Sequence, residues 1–88
     1  MSSFTDFIEA GYKPSFSKKS DKFCQKVTDN YTISISEWII RPGAGWIEAT
    51  AQLRVRDCYF SIKLTECENK TVEEVEEFFN KTYLKLSA

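Results

Sequence analysis

The chain contains no histidine. General acid–base chemistry at neutral pH leans on that residue or on a carboxylate with a strongly shifted pKa, so the commonest proton-transfer centres are excluded. Glycine is scarce. Gly11, Gly43 and Gly45 are all there is, and no Gly-rich loop leads into a helix to cradle a phosphate. The three cysteines, Cys24, Cys58 and Cys67, stand far apart without a CxxC pair. Neither an intrachain zinc site nor a complete disulfide framework fits them, and no base is placed to activate a thiol nucleophile. They are expected to be reduced thiols acting as small hydrophobes. There is no signal-peptide pattern and no apolar run of membrane-spanning length, so the expectation is a cytoplasmic domain with no membrane partner. A formal charge of −1 argues against a protein whose main task is neutralising phosphates. These absences together predict a non-enzyme that uses no metal and no cofactor.

What the chain does have is aromatic weight. Seven Phe, four Tyr and two Trp in 88 residues can build a dense core for one small domain, residues 1–88. The centre of that domain is the stretch from Tyr31 to Leu64. It reads as two long strands, Tyr31–Ile40 and Trp46–Arg56, joined by the turn Arg41–Gly45, with a third strand at Tyr59–Glu66. Ile33 and Ile35 share one face, as do Ile47, Ala49, Ala51, Leu53 and Val55. Thr, Ser, Gln and Arg side chains alternate with them. Period two with one polar face is the mark of an antiparallel sheet wetted on one side. Phe23–Thr28 supplies a first strand, although the spacing of Phe23, Cys24 and Val27 would also suit a helical turn.

The ends of the chain read as helices. Ser3 can cap a short helix over Phe4–Ala10, with Phe4, Phe7 and Ile8 as its apolar stripe and Gly11 as its left-handed stop. So short a helix forms only if the stripe docks, and disorder is the alternative. Lys13–Lys22 is expected to be a polar, basic connector. At the other end, Thr71-Val72-Glu73-Glu74 is a capping box. Val72, Val75, Phe78, Phe79, Tyr83 and Leu86 then recur at helical spacing. Glutamates crowd the first two turns and Lys81 and Lys85 the last two, which complements the helix dipole and explains the glutamates without catalysis. The predicted order is α-β-β-β-β-α. This is a four-stranded antiparallel meander (23–66) with a short N-terminal helix (within 1–22) and a long C-terminal helix (71–87) on one face.

Pairing Ile33 with Leu53 and Ile35 with Ala51 places Glu37 opposite Ala49 on the apolar face, where it needs a partner, a wet edge or a bulge. The same register sets Trp38 opposite Glu48 and Ile40 opposite Trp46. The wet face then ends in Trp38, Ile40 and Trp46 beside Arg41. Trp and Arg are over-represented among residues that dominate binding energy, so these residues, with Glu48, Arg54 and Arg56, are the candidate partner-binding set. Two arrangements would hide them. Phe16 or Tyr12 could fold over the tip, or a register shift after Glu37 could turn Trp38 inward.

The element order resembles that of a double-stranded-RNA-binding domain. That family carries a Lys-rich motif at the start of its last helix, where this chain has Thr71-Val72-Glu73-Glu74-Val75-Glu76-Glu77, which repels phosphate. Asp6–Gly11, the strand Tyr31–Ile40 and Val75–Leu86 also make the chain similar, in overall pattern, to small accessory proteins of tailed phages, including the anti-CRISPR group. That resemblance implies a single domain that works by binding and blocking another protein, an inhibitor of a host or defence protein, and carries over no functional residue. The expected function is therefore non-catalytic protein binding through the wet face and hairpin tip. The alternative is weak nucleic-acid binding through Lys18, Lys19, Lys22, Arg54, Arg56 and Lys63 with Tyr59. Association as a monomer or as a homodimer through the β edge at Tyr59–Glu66 is open.

Overall fold

The computed structural model describes residues 2–15 and 22–88. The elements follow in the order α1 (Phe4–Glu9), β1 (Lys13–Pro14), β2 (Lys22–Val27), β3 (Tyr31–Arg41), β4 (Ala44–Val55), β5 (Cys58–Leu64) and α2 (Val72–Ser87), with a single 3-10 turn at Cys67–Asn69. The strands form one antiparallel sheet in chain order, β1 to β5. The expected α+β class and both helices are present, but the sheet has five strands among the described residues rather than four. The extra strand is Lys13–Pro14, which pairs with Gln25 and Cys24 inside the segment expected to be a connector. A two-residue edge strand with Pro in it has no period to read, and Pro is tolerated there because an edge strand needs few donors.

Local chemistry explains both helices. At α1 the Ser3 hydroxyl accepts the Asp6 N–H at 3.3 Å and the Asp6 carboxylate accepts the Ser3 N–H at 2.8 Å. Gly11 follows at φ +103°, a conformation costly for any other residue. At α2 the Thr71 hydroxyl accepts the Glu74 N–H and the Glu74 carboxylate accepts the Thr71 N–H, both at 3.1 Å. That bond holds the Glu74 carboxyl below its ordinary range.

All of this packs on one face of the sheet. Cys24, Ile33, Ile35, Ile47, Ala49, Ala51 and Leu53 form a single buried cluster with Phe7, Tyr12, Cys67, Val72, Val75 and Phe79. The alanines lie opposite Ile35 and Ile33, and their small side chains leave room for α2 to sit on β4. Tyr12 and Phe7 meet edge to face at 5.3 Å. Two of the three cysteines, Cys24 and Cys67, behave as the expected small hydrophobes; Cys58 is exposed. Burial pushes the Cys24 thiol up to about 12 and the Cys67 thiol up to about 11.

One polar bridge ties the two layers together. Glu76 of α2 accepts from Tyr12 Oη at 3.1 Å and from Lys26 Nζ at 3.0 Å. Burial and then the Glu76 charge raise the Tyr12 phenol above its usual range. Glu76 therefore does more than complement a helix dipole, because it ties α2 to Tyr12, just before β1, and to Lys26 of β2.

The register corrects the expected one by two residues. Ile33 faces Ala51 and Ile35 faces Ala49, while Leu53 faces Tyr31. The cause is the turn. Arg41–Gly45 does not form a five-residue loop; the hairpin closes over Pro42-Gly43, with Gly43 at φ +80°. The pairing shifts by one residue between Ile39 and Arg41, leaving Ile40 as a bulge. A two-residue turn without that bulge would have moved every side chain to the wrong face. The slip is even, so the faces assigned from the sequence stand.

Candidate interaction site

Among the described residues the central hairpin outruns its neighbours. There β2 pairs with β3 as far as Glu37, and β5 pairs with β4 as far as Ala49. Past those points β3 and β4 run on together, as an arm ending at Pro42-Gly43. Two strands alone are marginal in water, so an arm needs its own ties. The main tie is Trp38 against Trp46. They are direct cross-strand partners on the open face and their rings stack at 6.1 Å and 16°. The expected partners Glu48 for Trp38 and Trp46 for Ile40 are thus corrected. The shift after Glu37 does not turn Trp38 inward, because the bulge lies farther out.

Trp46 is held in place from below. Its Nε1 donates to Glu48 Oε1 at 3.0 Å, and Glu48 Oε2 pairs with Lys63 Nζ at 3.4 Å. Trp38 is half-buried, and its indole N–H has no hydrogen-bond partner among the described residues. Trp46 keeps 36% of its surface and the bulged Ile40 keeps 72%. Arg41 is exposed between them and the turn. A groove of about 400 Å³ runs along the arm, lined by Ser3 at the start of α1, Glu37, Ile39, Gly45, Ile47, Glu68 and both Trp. Gly45 is required there, since a Cβ on it would run into the Trp38 carbonyl oxygen. Glu37 stays on the helix-side face, opposite Ile47 and paired across to Lys22, so no bulge turns it outward.

The base of the arm is braced by the chain after β5. Glu68 Oε2 accepts the Ile47 N–H at 3.0 Å, satisfying a strand donor that β5 no longer reaches. Ser2 is tied to the same turn, its hydroxyl donating to the Cys67 carbonyl at 2.9 Å. Tyr12 does not cover the tip, being buried in the core at the other side of the sheet. Phe16, Lys18 and Lys19 lie outside the described residues.

The structure separates the candidate residues into two groups. Trp38, Ile40, Arg41, Trp46 and Glu48 gather on the arm. Arg54 lies at the opposite end of β4 and Arg56 in the turn just beyond it, eight or more residues from Trp46, which is about 27 Å along a strand. There Arg54 sits 5.9 Å over the exposed Tyr59 ring. Lys22 approaches Phe4 of α1 on the helix side, and Lys63 is engaged by Glu48. The described cations of the nucleic-acid alternative therefore occupy different faces. The sequence reading missed Phe23. It lies on the open face opposite Ser36, diagonal to Trp38, and extends the aromatic surface onto β2. Its alternation with Cys24 and Lys26 is the signal that could have placed it.

Among the described residues, no helix is long and apolar enough to cross a membrane. No protein-family model matches the chain. No curated protein and no solved structure shows significant similarity to it.

Proposed function

We propose that this protein is a non-catalytic binding module that recognises another protein through the hairpin arm and the adjoining open face, and that it acts as an inhibitor of that partner. The observation that carries the reading is the Trp38–Trp46 stack, an aromatic surface held rigid by Glu48 and Lys63 yet left outside the core. Exposed Trp is costly to keep in water, and Trp and Arg in one patch are the residue types that dominate interface energies. Ordering costs are small because the arm is already braced. An inhibitory role is the part that rests on the pattern resemblance to phage accessory proteins.

The test is capture from an extract of the native host with immobilised wild type, Trp46→Ala, Arg41→Ala and Arg54→Ala. A protein retained by wild type and Arg54→Ala but lost by Trp46→Ala and Arg41→Ala is the expected result. Retention by both arm variants would sink the assignment. Binding that persists as salt is raised separates an aromatic-centred interface from phosphate contacts, which weaken steeply.

A further inference from the structure

The two edges of the sheet are unlike. β1 is two residues long and carries Pro14, a blunted edge. β5 is seven residues long with no Pro, no Gly and no bulge in its pairing to β4. Two hydrogen bonds on β4 fix which way the main-chain groups of β5 point. The Ile47 N–H leaves β4 on the β5 side, to Glu68, and the Arg54 N–H leaves on the β3 side, to the Asn30 carbonyl. Main-chain groups alternate along an antiparallel strand. Odd residues of β4 thus turn to β5, and their partners Cys58, Phe60, Ile62 and Leu64 turn back to β4. Tyr59, Ser61 and Lys63 hold their N–H and C=O groups away from the sheet.

Read antiparallel about Ser61, β5 is complementary to itself. We propose that a second copy of this chain pairs with it along β5, about a two-fold axis at Ser61, joining two five-stranded sheets into one. In that register the outward residues meet only outward residues, Ser61 with Ser61 and Tyr59 with Lys63, giving about six main-chain hydrogen bonds. On the helix side Phe60 meets Ile62 and Cys58 meets Leu64. On the open side each Lys63 meets a Tyr59 ring rather than a like charge. The Arg56 end of one strand lies beside the Glu66 end of the other. A two-fold perpendicular to the sheet keeps both helix layers on one side, so the apolar edges also meet. Phe60 and Phe78 each keep 38% of their surface. Glu76 turns its flank of α2 toward β1 and β2, and Phe78, about 200° around the helix, lies on the flank toward β5. The seam covers these residues and leaves the two hairpin arms outside it, at opposite ends.

Sedimentation of the full chain from dilute to millimolar concentration is the test, with expected growth from the 10.2 kDa monomer to twice that mass. Ser61→Lys sets two ammonium groups against each other on the axis and should weaken the dimer by about tenfold or more. Ser61→Pro removes an outward donor and should do the same. Circular dichroism should show both variants folded, and if Ser61→Pro fails to fold, Ser61→Lys decides. In a Cys58→Ser background, Ser61→Cys should cross-link on oxidation, because paired Cα atoms about 5.5 Å apart suit a disulfide. A wild type that stays monomeric throughout, even one whose β5 takes up a strand from another protein, overturns the proposal. So does a dimer indifferent to Ser61→Lys, or one that will not cross-link through residue 61.

Discussion

The two faces of this sheet follow opposite rules. On the helix side the residues Ile33, Ile35, Ala49, Ala51 and Leu53 are all buried, and each is accounted for by the core it helps to fill. On the open side the neighbouring positions of β3 and β4 are Ser, Thr, Gln, Glu and Arg, as a wetted face requires, until the arm is reached. There Trp38 and Trp46 break the pattern. The difference teaches where stability ends and recognition begins. The helix-side face is over-determined by packing, whereas the arm carries its large apolar side chains outside the core cluster.

The largest expected effect lies on the helix side. Phe79 is fully buried, so Phe79→Ala should cost about 3–5 kcal/mol in denaturant unfolding, most of what so small a domain possesses. A loss below about 1 kcal/mol would show that α2 does not anchor this face.

The same face should be sensitive to alkali. The Cys24 and Cys67 thiols are raised in the fold, to about 12 and about 11, while an unfolded thiol titrates near about 8.5. The neutral thiol is favoured in the fold, so stability is intact below the unfolded value. It falls as pH rises from there through 11 and 12, by about 1 kcal/mol per pH unit for each thiol. Replacing Cys24 by Val should flatten that slope in unfolding measured between neutral and strongly alkaline pH. An unchanged slope would mean that the thiol is not held neutral by burial.

At the helix start, Thr71→Ala should cost about 1 kcal/mol, read as a lower unfolding midpoint with an unchanged dependence on denaturant. On the open face, away from the arm, Arg54→Ala should change stability by less than about 0.5 kcal/mol. A larger loss there would blur the contrast between the faces.

Much of this architecture was legible from the chain. Period two assigned the faces of β3 and β4 correctly, and both capping signals, Ser3 and Thr71, formed as read. The register was not legible, because it depends on whether Arg41–Gly45 closes as a five-residue loop or as Pro42-Gly43 with a bulge at Ile40. Both use the same residues. Strand Lys13–Pro14 was invisible because two residues carry no periodicity. Glu76 looked like one more helix-dipole glutamate, since nothing local announces that Tyr12 and Lys26 converge on it. At the arm the two Trp were singled out, but their stacking required the true register, and Phe23 required the strand parity of β2. Arg54 and Arg56 group with the arm in the sequence because period two carries no distance along a strand.

The contrast between the faces is tested most directly by the unfolding free energy of Trp46→Ala set beside that of Phe79→Ala. A stacked aromatic pair on an open face is worth about 0.5–1.5 kcal/mol beyond the area it buries, so Trp46→Ala should remain folded and lose about 2 kcal/mol. A loss of about 3–5 kcal/mol, equal to that of a core aromatic, would contradict the account and make the arm a structural element.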